Sequence, residues 1–171
     1  MSVPSIYEEE DQERPVPNRR LVRERAMQAL YAYEIGHNAG GESIDFLASR
    51  LVYPEFRDST ELLDFAQKLM LRVFNHSREC DDIIKSLAEN WDFQRIAPID
   101  KVLLRIGLTE MLFFPEIPTK VTINEAIEIA KRYSTDKSGI FLNGVLDAAL
   151  TKLKQEGRLK KSGRGLIGES G

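Results

Sequence analysis

Residues 99–114 read IDKVLLRIGLTEMLFF. At about 100° per residue, Ile99, Val102, Leu103, Ile106 and Phe113 fall on one side of a helix, while Leu104, Leu108 and Met111 fall on another. A helix with two apolar sides needs neighbours on both, so it belongs at the centre of a helical core. Pro98 suits its first turn, where a missing N–H costs nothing, and Pro115 and Pro118 end it. One residue departs from the pattern. Glu110 falls among Ile99, Leu103 and Ile106, and a carboxylate placed there needs hydrogen-bonding partners. A brace between helices is the expected role.

Working towards the N-terminus, the apolar residues keep helical spacing. Asn18 caps a first helix running to about Ile35, with Val22, Ala26, Ala29, Leu30 and Tyr33 as its stripe and Gly36 as its stop. Ser43 opens a short second helix through Ile44, Leu47, Ala48 and Leu51, terminated by Pro54. Asp58 with Glu61 reads as a variant capping box for a third, carrying Leu62, Phe65, Ala66, Leu69 and Val73. The phase changes near Ser77. Cys80, Ile83, Ile84 and Leu87 then form a fourth segment ending near Asn90, with Trp91 and Phe93 in the connection that follows.

Towards the C-terminus, Thr122 and Glu125 read as a capping box for a sixth helix bearing Ala126, Ile127, Ala130 and Tyr133. A seventh starts after Asp136 or Ser138 and turns Leu142, Val145, Leu146, Ala149 and Leu153 inward. Gly139 and Gly144 mark either a close approach of another helix or a ligand, or tolerated glycines. No stretch alternates long enough for a sheet, so the fold class is all-α with about seven helices.

The 171 residues carry 24 Lys+Arg and 27 Asp+Glu, a net charge of −3, which by itself argues against a polyanionic partner. The charges are unevenly placed. Residues 1–17 hold Glu8, Glu9, Glu10, Asp11 and Glu13 against Arg14, and read as a disordered acidic leader. Residues 157–171 hold Arg158, Lys160, Lys161 and Arg164 against Glu169, and read as a flexible basic tail. The helical domain spans residues 18–156, with Arg19, Arg20, Arg23 and Arg25 crowded beside the single acid Glu24.

Bond chemistry finds little support. The one cysteine, Cys80, excludes a disulfide framework and a multi-cysteine zinc site; on its apolar stripe it reads as a core residue. His37 and His76 lie far apart, without a second ligand at helical spacing, and read as surface residues. Neither a phosphate-cradling glycine loop nor a nucleophile elbow is present. No metal and no cofactor are expected, and neither a membrane span nor a signal peptide is visible, which points to a soluble cytoplasmic protein. On the first helix Arg20, Arg23, Met27 and Tyr31 project beside the apolar stripe as a strip of guanidiniums and a phenol. Such a strip suits RNA, since arginine pairs with phosphate and stacks on bases; a solvated basic helix end accounts for it equally well.

The first helix RRLVRERAMQALYAYEIG, the block WDFQRIAPIDKVLLRIGLTEMLFF, and VTINEAIEIAKRYSTDKSGIFLNGVLDAAL together resemble the NusB (N-utilisation substance B) transcription antitermination family over most of residues 19–151. The resemblance implies two crossed three-helix bundles sharing one core and a non-enzymatic role. Its implied partners are NusE, a small-subunit ribosomal protein, the boxA element of nascent RNA, notably from ribosomal RNA operons, and the antitermination complex on RNA polymerase. Residue by residue, it implies RNA contacts at Arg19, Arg20, Arg23, Gln28 and Tyr31, and a second group at Lys131, Lys137, Phe141 and Asn143. The implied NusE surface comprises Tyr31, Asp100, Lys101 and Arg105. A monomer and a homodimer both remain open. Two other readings are a helical scaffold for ribosomal RNA processing or assembly, and a stand-alone relative of the NusB-like domain of ribosomal RNA cytosine methyltransferases.

Overall fold

The computed structural model describes residues 14–88 and 92–169. The acidic leader through residue 13, the expected helix end near Asn90 and the connection at Trp91 lie outside the described residues. Among those described there are seven α-helices and no strand: α1 (Arg19–Gly36), α2 (Ile44–Leu51), α3 (Thr60–Asn75), α4 (Ser77–Leu87), α5 (Pro98–Phe113), α6 (Thr119–Tyr133) and α7 (Asp136–Gln155).

The helix read first is the centre of the molecule. α5 is buried without a break over residues 100–111 and packs against α1 and α3 on one side and α4, α6 and α7 on the other. α2 joins the first group through α1. One apolar cluster runs through both groups, from Val22 and Ala26 of α1 through Leu103, Leu104 and Leu108 of α5 to Leu142 and Leu146 of α7.

Side-chain caps open α1, α2, α3 and α7, with three corrections to the expected starts, one being α7, which begins at Asp136 under a Thr135 cap and not after Asp136 or Ser138. Asn18 accepts from Leu21 N at 2.8 Å and Ser43 from Phe46 N at 3.2 Å, as their positions predict. The third helix is capped by Ser59, which accepts from Leu62 N, and not by Asp58. Thr122 and Glu125 do not cap α6, whose N-cap is Pro118. Their side chains turn outward instead. Thr122 donates to Glu110 of α5 at 3.0 Å, and Glu125 receives Arg20 of α1. A pair read as local thus ties three helices together.

The close helix approach is at Gly107 rather than Gly139 or Gly144. A Cβ at Gly107 would stand 2.9 Å from Cδ2 of buried Leu146, whereas one at Gly144 would meet nothing within 4 Å.

The C-terminal segment is docked, not loose. Lys161 donates to the Glu110 and Phe114 carbonyls at 3.0 and 2.9 Å, adding a second bond to oxygens that already accept from the Phe114 and Ile117 N–H groups. Ser162 N donates to the Pro115 carbonyl at 3.0 Å. A short helical turn, Gly163–Leu166, follows. Glu169 then accepts from Thr119 and pairs with Lys154 at 3.0 Å. A count of charges cannot show such docking, because half of what holds the segment is backbone carbonyls, those of Glu110, Phe114 and Pro115.

Candidate nucleic-acid interface

Asn18 sets the start of α1, so Arg19, Arg20 and Arg23 emerge within its first turns. Their surroundings differ sharply. Arg19 lies over the Phe65 ring at 4.4 Å and within 3.8 Å of Glu61. Arg20 is half exposed and grips Glu125 with two bonds of 2.7 and 3.0 Å. The carboxylate beside it holds the Arg20 guanidinium above its ordinary pKa.

Arg23 is not a surface residue. Only 3 % of it is exposed, and its guanidinium makes two 2.8 Å bonds to Glu110, itself 1 % exposed. Burial works to lower the Arg23 pKa, but the adjacent Glu110 outweighs it and holds the group charged. Thr122 completes the carboxylate's shell. The expected strip of Arg20, Arg23, Met27 and Tyr31 is therefore broken, since Met27 is buried as well and Tyr31 packs half-buried on the core. The brace expected of Glu110 is present, and Arg23 is its other half.

Gln28 accepts from Arg25 at 3.2 Å and reaches the Tyr133 hydroxyl at 3.5 Å. Arg25 pairs with Glu55. Glu24, predicted as the lone acid of a basic turn, is buried and receives Arg132 and Tyr133 from α6. Arg132 is thus taken up across helices, while Lys131 takes the neighbouring Glu128 at 3.2 Å.

Arg19, Arg20 and the edge of Arg23 line an open groove of about 760 Å³, walled by Ile117, Pro118, Val121 and Glu125 on one side and by Ser162, Gly163, Arg164 and Ile167 on the other. Arg164, read in the sequence only as one base of a flexible tail, lines this groove and has no acidic partner among the described residues.

The second group of expected residues gathers elsewhere. Lys137 and Phe141 line a groove of about 640 Å³ together with Asp100, Arg95, Ala97 and Ser138; Asn143 is exposed on α7 and Lys131 on α6. Asp100 is buried and accepts from Ser138 at 2.9 Å and Ser134 at 3.3 Å. Burial pushes its carboxyl pKa up, and the two hydroxyls oppose this only in part. Lys101 lies over the Phe93 ring at 4.6 Å. Arg105 does not share a face with Asp100, because five residues along a helix rotate the side chain by about 140°. It lines a separate cavity beside Tyr33 and His37, where Asp81 holds it through bonds of 2.7 and 3.0 Å and Glu34 through one of 2.9 Å.

Cys80 is buried, with its sulfur 3.6 Å from the Thr109 hydroxyl, and burial pushes its thiol pKa up to about 11. No cluster of three or more His, Cys, Asp or Glu suited to a metal occurs among the described residues, and no described helix is long and apolar enough to cross a membrane.

The family model described as NusB family matches residues 20–151. The transcription antitermination protein NusB of Chloroherpeton thalassium is 46 % identical over 150 residues, spanning 88 % of this chain and 69 % of its own length. Its counterpart in Salinibacter ruber is 47 % identical over 151 residues, spanning 88 % and 92 %. Among solved structures, T. maritima NusB superposes with a TM-score of 0.72 at 31 % identity, covering 83 % of this chain and 99 % of that one. A NusB solved with NusE and dsRNA shares the fold, with a TM-score of 0.68 at 24 % identity over 78 % of this chain and 96 % of that one.

Proposed function

The chain belongs to the NusB family, and from that premise we propose that it is an antitermination factor that binds boxA RNA of nascent transcripts, notably from ribosomal RNA operons, together with NusE. It acts in the cytoplasm by recognition, within the antitermination complex on RNA polymerase, and makes or breaks no bond. The observation that carries this reading is the groove at the start of α1. It places Arg19 and Arg20 on an open surface in a fold of this family, and exposed guanidiniums suit both phosphate and base stacking.

Arg19 and Arg20 are the phosphate contacts of this groove, and Gln28 and the half-buried Tyr31, further along α1, complete the first RNA region. Arg23 is not among them, because it is buried and paired with Glu110. Lys137, Phe141, Asn143 and Lys131 form the second RNA region. Asp100 and Lys101 remain the NusE-facing residues at the start of α5, whereas Arg105 serves to position α4 and α1 against α5. A fold shared with a chain that was solved beside NusE and dsRNA supports both partners.

Titration of labelled boxA RNA with the protein, with and without NusE, tests the proposal. Salt-sensitive binding that NusE tightens and scrambling of boxA weakens is the expected result. Binding indifferent to both NusE and sequence would overturn it in favour of a helical scaffold.

A further inference from the structure

We propose that residues 161–169 form a docked strap whose task is to deliver Arg164 into the Arg19–Arg20 groove as a phosphate-contacting residue. The proposal rests on the RNA reading above but concerns a segment beyond the family match, which ends at residue 151.

Three observations carry it. The strap is anchored at both ends by side chains, Lys161 on the last carbonyls of α5 and Glu169 on Thr119 and Lys154. Between the anchors, Gly165 is buried against the α5–α6 turn, where a Cβ would run into the Pro115 carbonyl oxygen. Only glycine allows that approach. The turn so fixed holds Arg164 at the groove wall, together with Ser162, Gly163 and Ile167.

Charge gives the strap a purpose. Arg19, Arg20 and Arg23 each face an acid, Glu61, Glu125 and Glu110 respectively, and Glu116 also lines the groove. Among the charges that line the groove, Glu61, Glu116 and Glu125 balance Arg19, Arg20 and Arg23, and Arg164 is the charge that tips the wall positive towards a polyanion. Arg164 is the groove arginine not already engaged by a carboxylate among the described residues.

The test is the salt dependence of RNA binding by the full-length protein, comparing wild type, Arg164→Ala and Gly165→Ala on labelled boxA RNA and on a scrambled RNA of equal length. One lost phosphate contact makes the log–log slope shallower by about 0.7 and weakens binding about fivefold near 0.1 M salt. Both variants should show this loss, equally on the two RNAs, because a phosphate contact carries no sequence information. Thermal melts of both variants confirm that the helical body is intact. An unchanged slope in Arg164→Ala overturns the proposal. A loss in Arg164→Ala with none in Gly165→Ala also overturns it, since the arginine would then act from an undocked tail. If the wild type binds both RNAs equally yet the variants lose affinity, the boxA reading fails and the strap stands; if the wild type binds neither RNA, both fail.

Discussion

Arg23 of α1 and Glu110 of α5 meet through two parallel 2.8 Å bonds inside the protein, 87 residues apart in sequence. Neither charge reaches solvent to any useful extent, so each is compensated by the other and, for Glu110, by Thr122. Such a pair contributes little over an apolar substitute, but half of one is costly.

Arg23→Ala should therefore destabilise the protein by about 3–5 kcal/mol, leaving Glu110 buried and unpaired. For a chain of this size that is a fall of roughly 10 °C in melting temperature. The double variant Arg23→Met, Glu110→Leu should recover most of it. Calorimetry on the three proteins checks this, and a single variant that melts with the wild type would refute the account.

Glu125→Ala frees Arg20 from its two hydrogen bonds and removes a negative charge from the groove wall. The lost surface ion pair costs at most about 1 kcal/mol of stability. RNA affinity at low salt should rise severalfold with a steeper salt slope, by the same counterion argument that makes each added phosphate contact worth about 0.7 in slope. Fluorescence titration across a salt series reads both; a decrease in affinity would show Glu125 acting with RNA rather than against it.

Asp100 has a carboxyl pKa raised by burial, with Ser138 and Ser134 offsetting part of the rise. The folded protein then holds that proton more tightly than the unfolded chain, so stability falls as pH rises from the ordinary aspartate value through the raised one. Asp100→Asn removes this dependence; its amide oxygen can accept from one serine while its amide N–H donates to the hydroxyl oxygen of the other. Its melting temperature should exceed that of the wild type near pH 7, and the gap should shrink as pH is lowered towards about 4. A gap independent of pH would contradict this.

With its thiol near 11 and its sulfur buried beside Thr109, Cys80 should resist alkylation at pH 8 in the folded state. Only about one thiol in a thousand would be ionised there, and that one would be shielded from reagent. Pulsed iodoacetamide labelling should therefore follow global unfolding. Rapid labelling under native conditions would place Cys80 in a region that opens locally.

Periodicity made the helices legible, because an apolar stripe is a local property repeated every turn: α1, α2, α4 and α5 start where Asn18, Ser43, Ser77 and Pro98 indicate. What required the structure was the choice of partner. Glu110 stood out as a carboxylate in need of a donor, yet nothing local distinguishes Arg23 from Arg25, which border the stripe on its two sides. Thr122 and Glu125 have the spacing of a capping box, but Pro118 had already opened the helix, so their side chains were free to reach α5 and α1. The angular difference between Asp100 and Arg105 was calculable from sequence, and it separates two residues that the family resemblance alone had placed on one surface.

The continuous burial of α5 bears on synthesis. α1, α2 and α3 emerge from the ribosome first, but the apolar face they would close upon belongs to residues 98–113, and so does that of α4, which follows them. The early helices can pack on one another, but the face they share with α5 stays open until this stretch of sequence has cleared the exit tunnel. One apolar cluster then runs through both groups by way of α5, so a chain interrupted before Phe113 lacks the helix that joins them.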